Sequence, residues 1–289
     1  MDPVRSTVRS RDGTVIAFDR VGQGEPVILV GGALTQRTSP QAAGLVPTLA
    51  ARCTVLNYDR RGRGDSGDTQ PYAVEREVED IDALIREAGG SAYVFGASSG
   101  GALALEAAAS GLAIAKLALW EPPYSLDESG SHALREMTAK IAETLASGHP
   151  DEAVDIFMSD AAGMPDEALA SLHDMPFWPG LVSMAHTLPY DMAAMGDGMV
   201  PRERAASVTV PTLVMDGEAS DAEQRTVVQL LAEVMPNAQR RTLRGQDHAA
   251  HPRFSGAHHA VCMGNDLDAP RPRPPHPPAA GAGHHGIDG

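Results

Sequence analysis

The residues most able to do chemistry are Gly96-Ala97-Ser98-Ser99-Gly100. The apolar run Ala92-Tyr93-Val94-Phe95 leads into them, and an alanine-rich stretch ended by Gly111 leads out. A serine between a strand and a helix, with glycines on both sides, fits a tight turn that strains the serine backbone and exposes its hydroxyl. The chemistry would be nucleophilic attack by Ser98 on a carbonyl carbon. The same turn sets a helix N-terminus beside the hydroxyl, so the Ser99 amide and the positive end of the helix dipole can hold a developing oxyanion.

A second oxyanion donor has to come from another loop at the same sheet edge. Val27-Ile28-Leu29-Val30 reads as a buried strand, and Gly31-Gly32-Ala33-Leu34 follows it as a loop of small residues. The Ala33 amide is the expected donor, with Leu34 as the fallback.

The elements that must position these groups follow from hydrophobic period. Residues 6–30 read as a hairpin followed by a buried strand, with turns at Arg11-Asp12-Gly13-Thr14 and Gly22-Gln23-Gly24-Glu25. A helix is predicted from about Gln41 to Arg52, then a strand through Thr54-Val55-Leu56-Asn57-Tyr58 that ends in a glycine-rich turn. The stretch from Ala73 to Glu87 places Val74, Val78, Ile81, Leu84 and Ile85 on one helical face, and its carboxylates read as a solvated face. The strand and helix around Ser98 come next, then a strand through Leu117-Ala118-Leu119-Trp120. Between Pro122 and Ser207 the alternation gives way to amphipathic helical segments, which read as an inserted cap. Strand, helix and strand resume from Val210 through Arg244 and reach Gly245-Gln246-Asp247-His248. The predicted fold class is α/β, a doubly wound and mostly parallel sheet with a helical cap. The core is expected over 1–121 and 208–252 and the cap over 122–207. The Pro-, Gly- and His-rich tail over 253–289 is expected to be disordered.

Val27 to Ala33, Tyr58 to Gly67, Phe95 to Gly101, Val210 to Glu218 and Gly245 to His248 resemble, in that order, the signposts of the α/β-hydrolase superfamily. The resemblance implies that His248 is the general base that takes the Ser98 proton. His251, against Pro252, is the weaker competitor. Family members commonly carry the triad acid in a Gly-x-x-Asp after the penultimate strand; here that position is Ser220, and Asp221 lies one residue late. A second place, used in some haloalkane dehalogenases, is the end of the strand after the nucleophile helix, where Glu121 stands. Glu121 is the favoured acid and Asp221 the alternative. Either would fix the His248 tautomer and stabilise its imidazolium. Asp59 to Ser66 resembles the family segment that braces the fold beside the site.

The activity this resemblance implies is cleavage of a small ester, thioester or lactone through an acyl-enzyme on Ser98. A serine at that turn argues against epoxide hydrolase and haloalkane dehalogenase chemistry, in which the family uses an aspartate. Perhydrolase or cofactor-free haloperoxidase activity is a close relative of the main reading. A non-catalytic small-molecule receptor or pseudo-enzyme on the same fold is the rival, kept open by the displaced acid.

Composition narrows the partners. The formal net charge of −15 opposes a nucleic-acid backbone. Cys53 and Cys262 show no paired spacing, so neither a disulfide framework, a structural metal nor any cofactor is expected. No signal-like or membrane-spanning apolar run occurs, which makes the cytoplasm the expected location. The tail does not resemble the helix that usually covers the last strands of the family, and an uncovered face would favour a homodimer. Met158, Met164, Met175, Phe177, Trp178, Met184, Met192 and Met195 are candidates to line a pliable cavity under the cap or, equally, to form the cap's own core.

Overall fold

The structure, a computed structural model, describes residues 3–248. The expected disordered tail, His251 and Cys262 lie outside the described residues. The chain opens with β1 (Val4–Arg9), β2 (Val15–Val21) and β3 (Glu25–Val30). Then α1 (Pro40–Ala50), β4 (Cys53–Tyr58), α2 (Val74–Glu87), β5 (Ala92–Ala97), α3 (Ser99–Ala109) and β6 (Ile114–Trp120) alternate. Between β6 and the next strand come α4 (Glu128–Ala146), α5 (Pro150–Asp160), α6 (Asp166–His173), α7 (Trp178–Met184), α8 (Leu188–Ala194) and α9 (Arg202–Ser207). The sheet resumes with β7 (Thr212–Gly217), α10 (Ala222–Val234) and β8 (Ala238–Leu243).

The eight strands form one sheet in the order β1-β2-β4-β3-β5-β6-β7-β8. β1 pairs antiparallel with β2, and β2 with β4; the remaining neighbours are parallel. Val27, Ile28, Leu29 and Val30 of β3 are all buried, as a strand covered on both faces must be. One apolar cluster joins Ile28 and Val94 to Ile81 of α2, Leu103 of α3 and Val228 of α10. A second, on the other face, joins Val27, Leu29 and Phe95 to Leu45 and Leu49 of α1. This is the doubly wound α/β sheet. The first cluster also takes in Met137, Ile141, Val154 and Leu188 from the helices after β6, so they share the core's own interior.

The chain leaves β3 for one flank of the sheet and β5 for the other, so the two adjacent strands send their following loops to opposite faces. The crevice at such a switch point, at the carboxyl ends of the strands, is where an open α/β sheet binds ligands. The turn at Ser98 and the loop Gly31-Gly32-Ala33-Leu34 both open onto it.

One expectation needs correction. The carboxylates of α2 are not all a solvated face: Glu77 and Asp80 are buried. Each meets a buried guanidinium, Glu77 accepting from Arg60 at 2.6 and 2.7 Å and Asp80 from Arg61 at 2.7 and 2.8 Å. Helical period sees only that a residue is polar, not that an arginine from a distant turn arrives to pair with it. Among the described residues no helix is long and apolar enough to cross a membrane.

Close approach at the switch point depends on Gly100, where an added Cβ would overlap the carbonyls of Val30 and Gly31. Those are backbone atoms with no rotamer to yield. Gly100→Ala is therefore expected to cost about 1–3 kcal/mol, read in thermal melts as about 2–4 °C for each kcal/mol. Gly180→Ala, with open space at its Cβ, is expected to hold or raise the melting temperature.

Candidate active site

Ser98 joins β5 to α3 with φ 55 and ψ −130. A non-glycine residue at positive φ is strained, and the surrounding structure has to impose it. Two features do so. The Ser98 amide donates to the Trp120 carbonyl at the end of β6, 2.8 Å away. Gly96 lies against the first turn of α3, where a Cβ would strike the Gly100 carbonyl and come within 2.8 Å of the Ala104 side chain.

His248 stands over this turn. Its Nε2 lies 3.1 Å from Ser98 Oγ, and its Nδ1 lies 3.0 Å from Glu121 Oε2. The tautomer with the proton on Nδ1 satisfies both bonds, donating to Glu121 and leaving Nε2 free to accept from the serine. Glu121 is fully buried, follows β6 directly, and has φ 42. Its other oxygen, Oε1, accepts from the Gly217 amide at 2.7 Å and the Ser220 hydroxyl at 2.5 Å. Each carboxylate oxygen therefore has a partner.

The geometry places the alternative acid elsewhere. Asp221 is exposed and caps α10, its Oδ1 accepting from the Gln224 amide at 2.8 Å. An aspartate just before a helix satisfies a free amide of the first turn, and here that is its use. Ser220, at the position where the resemblance leads one to look for an acid, instead donates to Glu121 at the end of the neighbouring strand.

The loop after β3 passes close to the nucleophile: a Cβ on Gly32 would stand 3.0 Å from Ser98 Cβ and 3.7 Å from its Oγ. Ala33 and Ser99 both face the cavity that Ser98 and His248 line. Ser99 is the first residue of α3, so its amide has no acceptor within the helix. The fallback, Leu34, is buried with φ 52 and does not face that cavity. Two buried arginines tie this loop down. Arg60 donates to the Gly31 carbonyl at 3.3 Å, and Arg63 donates to the Gly32 carbonyl at 2.6 Å.

The cavity has a volume of about 1080 Å³ and is walled by both the sheet edge and the helices after β6. Of the side chains expected to line it, Met158, Met164, Met192 and Met195 do. Met175 and Phe177 are exposed, which corrects both readings of them, whereas Met184 is buried among the helices as part of their core; Trp178 is not among the lining residues either. Met137 and Phe157, missed from sequence, take their place. Composition marks a methionine-rich cap but not which face of each helix turns inward.

No functionally curated protein matches the chain. A solved α/β hydrolase from Sphaerobacter thermophilus is 50% identical, with a TM-score of 0.81 over 87% of this chain and 98% of its own. A hydrolase from Pseudomonas aeruginosa is 22% identical, with a TM-score of 0.65 over 89% of this chain and 97% of its own. An esterase from a Rhodococcus species is 20% identical, with a TM-score of 0.64 over 90% of this chain and 96% of its own. At those lower identities the likeness is of fold. The family model described as alpha/beta hydrolase matches residues 27–262. With that match, the sheet described above and 50% identity over 87% of its length to a solved α/β hydrolase, the chain belongs to the alpha/beta hydrolase family.

Proposed function

We propose that the chain is a serine hydrolase that cleaves a small ester, thioester or lactone through an acyl-enzyme on Ser98. The observation that carries this reading is the unbroken hydrogen-bond chain from Ser98 through His248 to Glu121. A hydroxyl is a poor nucleophile until a base takes its proton, and a base is useful only if it is held in one tautomer.

In this reading Ser98 Oγ attacks the carbonyl carbon while its proton moves to His248 Nε2. The carbonyl oxygen becomes an oxyanion held by the Ala33 and Ser99 amides. As the bond to the leaving group breaks, His248 returns the proton to the departing oxygen or sulfur. Water then attacks the acyl-enzyme, gives its proton to His248, and Ser98 leaves as the hydroxyl with the acid released. Glu121 stabilises the imidazolium that forms twice in the cycle and keeps its own charge throughout. The apolar, methionine-walled cavity suits a substrate whose acyl or leaving group is apolar and variable in shape. The receptor reading rested on the serine at position 220, and the Glu121 contact to His248 favours the enzyme instead.

Intact mass after treatment with a fluorophosphonate is the direct test. The wild type should gain one adduct within minutes and Ser98→Ala none; a folded wild type that stays unlabelled would overturn the reading. The choice of acid has its own pair of variants. Glu121→Gln should lower kcat on an activated aryl ester by about 10²–10⁴-fold. Asp221→Ala should keep kcat within about twofold while costing about 1 kcal/mol of stability as a lost helix cap.

A further inference from the structure

The strongest unassigned feature is a fully buried carboxylate in the helices after β6. Asp191, on α8, has no solvent exposure, and its partners come from two other parts of the chain, the turn after β4 and the start of α3. Its Oδ1 accepts from Arg60 at 2.6 Å and from the Ser99 hydroxyl at 2.8 Å; its Oδ2 accepts from Arg63 at 2.6 Å. The two arginines are the same ones whose other hydrogen bonds reach the Gly31 and Gly32 carbonyls. Burial alone would push the Asp191 carboxyl up, but the guanidiniums of Arg63 and Arg60, with the Ser99 hydroxyl, hold it below the ordinary carboxylate value.

The consequence is geometric. The loop that carries the Ala33 amide and the helix start that carries the Ser99 amide are separate segments with no peptide between them to set their spacing. One carboxylate spans both, reaching the loop through Arg60 and Arg63 and the helix through Ser99. We infer that Asp191 is a positioning residue for the oxyanion hole, fixing the distance between the Ala33 and Ser99 amides from a helix outside the core sheet. The inference rests on Ser98 being the nucleophile. It makes the hole a product of two layers of the molecule: displacing α8 would release the Ser99 hydroxyl and both arginines together. Glu77 balances one arginine and Asp191 the other, so the charges in this pocket close without solvent.

The test compares wild type, Ser99→Ala and Asp191→Asn by fluorophosphonate labelling rate and by kcat and KM for p-nitrophenyl acetate. Ser99→Ala deletes one hydrogen bond to Asp191 and keeps the backbone amide. It should lose about 10–100-fold in kcat and in labelling rate, with KM within about twofold and the melting temperature nearly unchanged. Asp191→Asn should lose at least as much activity and also melt lower. Ser99→Ala decides alone if Asp191→Asn does not fold. Wild-type kcat and labelling rate in Ser99→Ala, or a loss confined to KM, would overturn the positioning role while leaving the nucleophile reading intact. An unlabelled wild type would overturn both.

Discussion

Helix α3 can stand against the C-terminal end of β3 only because Gly100 lacks a Cβ, and the rest of the site follows from that approach. With the helix start pressed onto the Val30 and Gly31 carbonyls, the chain has room for one residue to turn from β5 into α3. That residue is Ser98, and its φ of 55 is the result. The strain is stored locally and offset by the packing of Leu103 and Leu105 in the core below. Because β3 and β5 are neighbours, the same contact that bends the serine turn also brings the Gly31 to Leu34 loop beside it. One close approach thus brings the Ser98 turn and the loop after β3 together, and the hydrogen bonds of Asp191, Arg60 and Arg63 hold them there.

A second constraint is electrostatic. Arg60, Arg61 and Arg63 are all buried, in a chain whose net charge is −15. A buried guanidinium without a partner would cost several kcal/mol, so each arginine requires a carboxylate within reach. Glu77, Asp80 and Asp191 meet that need from α2 and α8. Such pairs contribute little net stability relative to well-packed apolar side chains. What they do is impose geometry: the bidentate pairs of Arg60 with Glu77 and Arg61 with Asp80 tolerate little rotation or slip, and Asp191 bridges Arg60 and Arg63 with one oxygen on each. The turn that bears these arginines therefore locks α2, α8 and the loop after β3 into one arrangement.

How much of this was legible in the sequence follows the reach of each interaction. The Ser98 turn was legible because everything it needs, a strand, two glycines and a helix former, lies within a dozen residues. The Val27 to Ala33 strand and loop were legible for the same reason. Glu77 and Asp80 were read as solvated because local period cannot see Arg60 and Arg61 arriving from another turn. Asp191 carried no signal at all: Leu188-Pro189-Tyr190-Asp191-Met192 is an unremarkable helical stretch, and its carboxylate acquires a use only when the fold brings three distant partners to it. The cap methionines show an intermediate case, since composition marked the segment and packing chose among its members.

The carboxylate that meets His248 illustrates how two parallel strands offer nearly the same starting point for such a contact. β6 and β7 are parallel neighbours, with Trp120 opposite Met215. Their carboxyl ends therefore finish side by side, and the Glu121 amide donates to the Met215 carbonyl at 3.1 Å. A carboxylate leaving the end of either strand starts from nearly the same place relative to His248. Glu is one methylene longer than Asp, and the positive φ at Glu121 turns its side chain toward the loop after β7. That loop then becomes the support rather than the source: its Gly217 amide and Ser220 hydroxyl both donate to the carboxylate oxygen that His248 does not use. A serine is a suitable neighbour for a buried glutamate, because a second carboxylate there would repel the first and raise its affinity for a proton. Asp221, one residue further on, caps α10, so the two neighbouring residues divide between them the support of Glu121 and the start of the helix.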